Sequence, residues 1–212
     1  MEEKKGRQII FWGDSNTYGY DPADMDEMRY PADVRWTDVL QKKAGDTWRV
    51  FPEGLNGRRL PKEPESSEIL IRLLKAREED GVFAVMLGTN DVLQGAVPDA
   101  SDAISRMDRL LSFVDGKCPR KYFLVIGPVY SGSEDSGDDF CRAGYRESVR
   151  MNSGFRELAA KYRVLYVNAG AWGVETAFDM VHFSAKGSLT FAERMEKTLA
   201  RLEEYYAEDR FI

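Results

Sequence analysis

Two residues near opposite ends of the chain have the right types to do chemistry together. Ser15 stands in the turn Gly13-Asp14-Ser15-Asn16, directly after the apolar run Ile9-Ile10-Phe11-Trp12. His182, the only histidine in the sequence, stands close to the carboxyl end. A serine hydroxyl is a poor nucleophile until a base takes its proton, and a neutral imidazole is the usual base. If an imidazole activates Ser15, it is that of His182. The ring then needs an acceptor on its other nitrogen, to fix the tautomer and stabilise the imidazolium that forms. Asp179, in Asp179-Met180-Val181-His182, is within reach across a tight turn. An attacked carbonyl becomes an oxyanion and must meet donors already aimed at it. The Ser15 amide, the Gly54 amide of Glu53-Gly54-Leu55 and the Asn90 side chain of Gly88-Thr89-Asn90-Asp91 are suitable donors.

Each of these features has a plainer reading when taken singly. Gly, Asp and Ser are favoured in turns, and Asn and Asp cap helices. An Asp and a His three residues apart often form no more than a surface hydrogen-bonded pair. Their positions relative to the secondary structure decide the matter. Apolar runs predict strands at 8–12, 48–51, 82–87, 122–126 and 164–167. The run at 82–87 is apolar without alternation, the pattern of a strand buried on both faces of a parallel sheet.

Between the strands, three-and-four spacing of apolar residues predicts helices. These cover 33–44, with Val39 and Leu40 inward, 66–79, a segment from Ile104 to Val114, and 142–162, with Val149, Phe155, Leu158 and Ala159 inward. A last helix carries the stripe Leu189, Ala192, Met195, Leu199, Leu202 and Tyr206. Residues 18–33 and the acidic stretch 129–140 read as loops. Alternating strands and helices predict a three-layer αβα sandwich, flavodoxin-like, with about five mostly parallel strands in a single domain over residues 1–212. Ligands in such sheets gather beyond the carboxyl ends of the strands, where Ser15, Gly54, Asn90 and His182 all fall.

Composition narrows the partners. The 212 residues include 43% hydrophobic and 31% charged side chains, the profile of a globular protein. With 30 basic against 36 acidic residues the formal net charge is -6, so no basic field exists to collect nucleic acid or anionic lipid. No apolar run approaches the ~18 residues of a membrane span, and the charged amino terminus lacks the apolar core of a signal peptide. A cytoplasmic location is expected, with Cys118 and Cys141 as free thiols. No metal or other cofactor is expected.

The blocks Gly13-Asp14-Ser15-Asn16, Glu53-Gly54-Leu55, Gly88-Thr89-Asn90-Asp91 and Asp179-Met180-Val181-His182 resemble, in order, the four blocks of the SGNH hydrolases, or GDSL-type esterases and lipases. Arg35-Trp36 and the Glu-Gly-Leu turn bring the chain nearest the intracellular arylesterase and acyltransferase-like branch. The resemblance implies Ser15 as nucleophile, His182 as base and Asp179 as its orienting partner, with oxyanion donors from Ser15, Gly54 and Asn90. It also suggests a homo-oligomer. Asn16 replaces the Leu of the name-giving motif and touches no proposed catalytic atom.

Tyr18, Trp36, Tyr130 and Trp172 are candidate substrate-binding walls, with Trp12, Tyr20 and Phe183 beside them. The expected substrate is a small carboxylic ester with a short acyl, aryl or acetylated-carbohydrate group, cleaved through an acyl-enzyme. The rivals are an acyltransferase on the same site and a non-catalytic flavodoxin-like ligand-binding protein.

Overall fold

A computed structural model describes residues 6–24, 26 and 28–208. Five strands form one sheet: β1 (Arg7–Gly13), β2 (Trp48–Gly54), β3 (Val82–Met86), β4 (Phe123–Gly127) and β5 (Leu165–Asn168). Their order is β2-β1-β3-β4-β5, and every neighbouring pair is parallel. β1, β3 and β4 are buried along their whole length, whereas the edge strands β2 and β5 are largely half-buried or exposed. That explains why the interior strands read as unbroken apolar runs.

Strand alternation sends successive side chains to two separate cores. Ile10, Trp12, Phe83, Val85, Phe123 and Val125 point to one face. There they meet α3 (Glu68–Ala76), α5 (Ser101–Val114) and α6 (Asp139–Tyr162) through Leu70, Met107, Met151 and Phe155. Ile9, Phe11, Val82, Ala84, Leu124 and Ile126 point to the other face. They are covered by α2 (Trp36–Ala44) and α7 (Ala185–Glu208) through Trp36, Leu40, Phe191, Met195 and Leu199. Two further helices of a single turn, α1 (Ser15–Tyr18) and α4 (Thr89–Val92), follow β1 and β3 directly.

Several boundaries and faces differ from the sequence expectation. α2 starts at Trp36 because residues 31–35 form a turn of their own, with the Val34 and Arg35 amides both donating to Pro31 O. α6 begins earlier than expected because Asp138 caps it, its carboxylate accepting from the Cys141 amide at 2.8 Å. On α6 Met151 is buried where Val149 was expected inward. On α7 the buried stripe runs through Ser188, Phe191, Ala192, Met195 and Leu199. Leu189 is 39% exposed whereas Phe191 is fully buried, because one residue rotates a helix by about 100° and moves a side chain off the stripe. Cys118 and Cys141 are both free thiols.

On α7 Ala192, Met195, Leu199, Leu202 and Tyr206 face inward as expected, and the exchange of Leu189 for Phe191 on that stripe has a measurable consequence. Phe191→Ala is expected to lose about 3–5 kcal/mol of unfolding free energy, and Leu189→Ser to stay within about 0.5 kcal/mol of the parent. Denaturant titration reads both, and equal losses at the two positions would refute the assignment.

Candidate active site

The site is assembled from the carboxyl ends of the strands. β1 ends at Gly13, and Asp14 caps the helical turn α1: its side chain accepts from the Asn16 amide at 3.0 Å, and its carbonyl from the Thr17 and Tyr18 amides. Ser15 is therefore the first residue of a helical turn, where an amide has no intrahelical acceptor and stays free for a ligand. This turn lies so close to the strand ends that a Cβ at Gly13 would stand 2.0 Å from Thr17 Oγ1, and one at Gly54 would stand 2.2 Å from the Tyr18 nitrogen. No larger residue fits at either place.

Ser15, His182 and Asp179 come together. Ser15 Oγ is 2.9 Å from His182 Nε2, and His182 Nδ1 is 2.6 Å from Asp179 Oδ2. Asp179 Oδ1 accepts from the Val181 and His182 amides, each at 3.0 Å. Partial burial would push the Asp179 carboxyl up, but the hydrogen bonds from the imidazole and the two amides outweigh it. They hold the group below the usual carboxylate range. Met180, between them, takes a left-handed φ of 57° and accepts from the Gly132 amide at 2.8 Å. The ring of Tyr20 lies 4.4 Å from the imidazole, centroid to centroid.

Asn90, in α4, donates through Nδ2 to Arg58 O at 3.1 Å, which leaves its second amide hydrogen unengaged. The neighbouring Asp91 fixes the loop after β2: it accepts from the Leu60 amide at 3.0 Å and pairs with Arg106 at 3.2 Å and Arg59 at 3.3 Å. Burial raises the Asp91 carboxyl, although the loop amide and the two guanidiniums work against that rise. Arg58 runs back under the loop and donates to the carbonyls of Gly13 and Glu53, tying the ends of β1 and β2 together.

Gly54 does not play its expected part. It lies opposite Gly13 in the parallel ladder, and the Leu55 amide donates to Gly13 O at 3.2 Å. Alternation of bonding along a parallel pair then turns the Gly54 N–H away from β1, and so away from Ser15. Its glycine is explained by close packing against α1. The turn that follows, Leu55-Asn56-Gly57-Arg58, is closed by the Arg58 amide on Leu55 O at 3.0 Å and passes over the end of β1 toward Asn90. Gly57 there has φ +71° and an amide with no hydrogen bond among the described residues.

The expected aromatic walls fare differently. Trp36 is 1% exposed, packed edge-on against Phe11 at 4.9 Å and tilted on Phe191 at 4.7 Å, with Nε1 donating to Asn16 O at 2.8 Å. It braces the serine turn from below and is no pocket wall. Tyr18 lies under the Arg29 guanidinium and lines a cavity of about 520 Å³ with Asp21, Tyr30 and Arg35. Tyr130 packs on Tyr145 and accepts at its hydroxyl from Asn168 Nδ2, and Trp172 packs on Phe191. Tyr20 packs against the His182 ring. Among the described residues no group of three or more His, Cys, Asp or Glu side chains could hold a metal ion, and no helix is long and apolar enough to cross a membrane.

Residues 11–188 match the profile of the GDSL-like lipase/acylhydrolase family. No curated protein matches the chain in sequence. Among solved structures, a protein of Agrobacterium tumefaciens C58 to which arylesterase activity is ascribed is 25% identical, with a TM-score of 0.77 over 92% of this chain and 99% of that one. The aryl esterase of M. smegmatis is 22% identical, with a TM-score of 0.76 over 93% and 100%. Est24, a carbohydrate acetylesterase from Sinorhizobium meliloti, is 22% identical, with a TM-score of 0.75 over 92% and 99%.

Asp14 gives this site an electrostatic signature. Its carboxyl is buried, and desolvation raises it from 3.8 to about 6 despite the Asn16 amide and the nearby His182 and Arg58. A carboxyl that holds its proton more tightly when folded favours folding in acid, and that stability is lost as pH rises from about 4 to about 6. Asparagine caps a helix as well as aspartate does. Asp14→Asn is therefore expected to match the parent near pH 4 and to exceed it by on the order of 2–3 kcal/mol at pH 7. Melting curves across this range check it, and a difference independent of pH would refute the assignment.

Proposed function

The chain belongs to the GDSL-like lipase/acylhydrolase family, and from that premise we propose that it hydrolyses small carboxylic esters through an acyl-enzyme on Ser15. The observation that carries this reading is the continuous path from Ser15 Oγ through His182 to Asp179, with steps of 2.9 and 2.6 Å. His182 Nε2 takes the serine proton as Oγ attacks the ester carbonyl, while Nδ1–H stays on Asp179, which stabilises the imidazolium. The tetrahedral oxyanion is met by the Ser15 amide, by the second hydrogen of Asn90 Nδ2 and by the Gly57 amide, which takes the place first expected for Gly54. His182 then gives its proton to the leaving alcohol, and water, activated by the same ring, releases the acid.

The likeness to proteins described as aryl esterases and a carbohydrate acetylesterase favours aryl esters and short acyl or acetyl groups. A series of p-nitrophenyl esters of increasing acyl length, run beside acetylated sugars, ranks these substrates.

Ser15→Ala is expected to abolish hydrolysis and labelling by a fluorophosphonate probe without disturbing the fold. His182→Ala should do nearly the same, since no other histidine exists, and Asn90→Ala should lower kcat by about 10²–10³-fold. Near-normal activity in Ser15→Ala would overturn the mechanism.

A further inference from the structure

Asn16, the residue after the nucleophile, is 8% exposed and uses every one of its polar groups. Its amide nitrogen donates to Asp14 Oδ1 at 3.0 Å, and its carbonyl accepts from Trp36 Nε1 at 2.8 Å. Its side chain reaches the loop that carries the base. Nδ2 donates to Val181 O at 3.2 Å, and Oδ1 accepts from the Phe183 amide at 2.9 Å. These two bonds straddle His182. They reproduce the pattern of a parallel strand residue, which bonds the carbonyl before and the amide after the residue it faces.

We propose that Asn16 is a positioning residue, whose side-chain amide clamps the backbone on both sides of His182 and sets the imidazole against Ser15. The proposal rests on the reading of Ser15 and His182 as nucleophile and base. It explains why this chain has asparagine at the position. Leucine would fill a similar volume but leave the Val181 carbonyl and the Phe183 amide without partners in a buried place. Aspartate would keep the acceptor and lose the donor. Because Asn16 sits on the same helical turn as Ser15, the clamp references the base directly to the nucleophile's own backbone. Besides the bonds within the loop, in which Ala177 N donates to His182 O at 2.7 Å, Tyr30 donates its hydroxyl proton to Phe183 O at 3.2 Å, and Gly132 holds Met180. Those contacts fix the loop to the body of the protein, and Asn16 fixes it to the serine.

The test compares the parent with Asn16→Leu and Asn16→Asp, following kcat and KM on p-nitrophenyl acetate, melting temperature, and the imidazole N–H signals of histidine-labelled protein by NMR. With one histidine in the chain those signals need no assignment. Misplacing a catalytic group by about 1 Å costs on the order of 10²-fold in rate. Folded Asn16→Leu is expected to lose kcat on that scale with KM little changed, and to broaden or lose the downfield Nδ1–H signal. Asn16→Asp should fall between it and the parent. A folded variant with the parent's kcat and imidazole spectrum would overturn the proposal, as would a loss of kcat with the imidazole spectrum unchanged. Should Asn16→Leu fail to fold, Asn16→Asp decides by the same readouts. If the parent neither hydrolyses esters nor reacts with the fluorophosphonate probe, the esterase reading fails, while the spectra still decide whether Asn16 holds the ring.

Discussion

The hydrogen bond between Ser15 and His182 joins residues 167 positions apart in the chain, and it works only if both ends are held within a fraction of an ångström. The serine end is secured by topology. β1 lies inside the sheet between β2 and β3 and is buried along its whole length, so the turn that follows it inherits a rigid base. The histidine end has no such support. It lies beyond β5, a half-buried edge strand of four residues, in a loop outside the sheet that closes on itself through the antiparallel Thr176–Phe183 bridge. Much of the polar structure above the sheet can be understood as compensation for that asymmetry.

Buried charge does part of this work. Asp14, Arg58, Asp91 and Arg106 lie wholly or partly buried beneath the rim, each bonded to at least one backbone group, and Asp91 and Arg106 also pair with each other. Buried ion pairs add little net stability, because desolvation offsets the attraction. Their value here is geometric. Arg58 gathers the ends of β1 and β2 onto one guanidinium, and Asp91 holds the loop after β2 to the helix that presents Asn90. The Asn90 side chain and the turn after β2 are thus fixed in place by the fold itself.

The parts of the molecule legible in the sequence are those that leave a pattern. Val82 to Leu87 announces a central strand because both its faces are buried, and the sole histidine, three residues after Asp179, singles itself out. The misread parts depend on phase or on backbone contacts. Leu189 and Phe191 both suit an apolar stripe, and only packing decides which one turns inward. Trp36 looked like a wall because an aromatic side chain near a functional turn has no label telling whether it lies beside or beneath it. Gly54 and Gly57 are both glycines in one turn, and the direction of a peptide N–H depends on ladder register, which no residue type records. Asn16 was passed over for the same reason: its partners are the carbonyl of Val181 and the amide of Phe183, groups that every residue possesses.

Met180 carries a last implication. A non-glycine residue in the left-handed region costs roughly 1 kcal/mol or more relative to its relaxed conformation. The segment from Asp179 to His182 is held in that shape partly by its own Asp179 carboxylate, which accepts from the Val181 and His182 amides. It is also tethered from outside, by the loop of Gly132, by the serine turn and, at the adjoining Phe183, by Tyr30. Opening of those tethers would release the strain and shift His182 without unpacking either core. The placement of His182 thus depends on contacts separate from those that hold the two cores together.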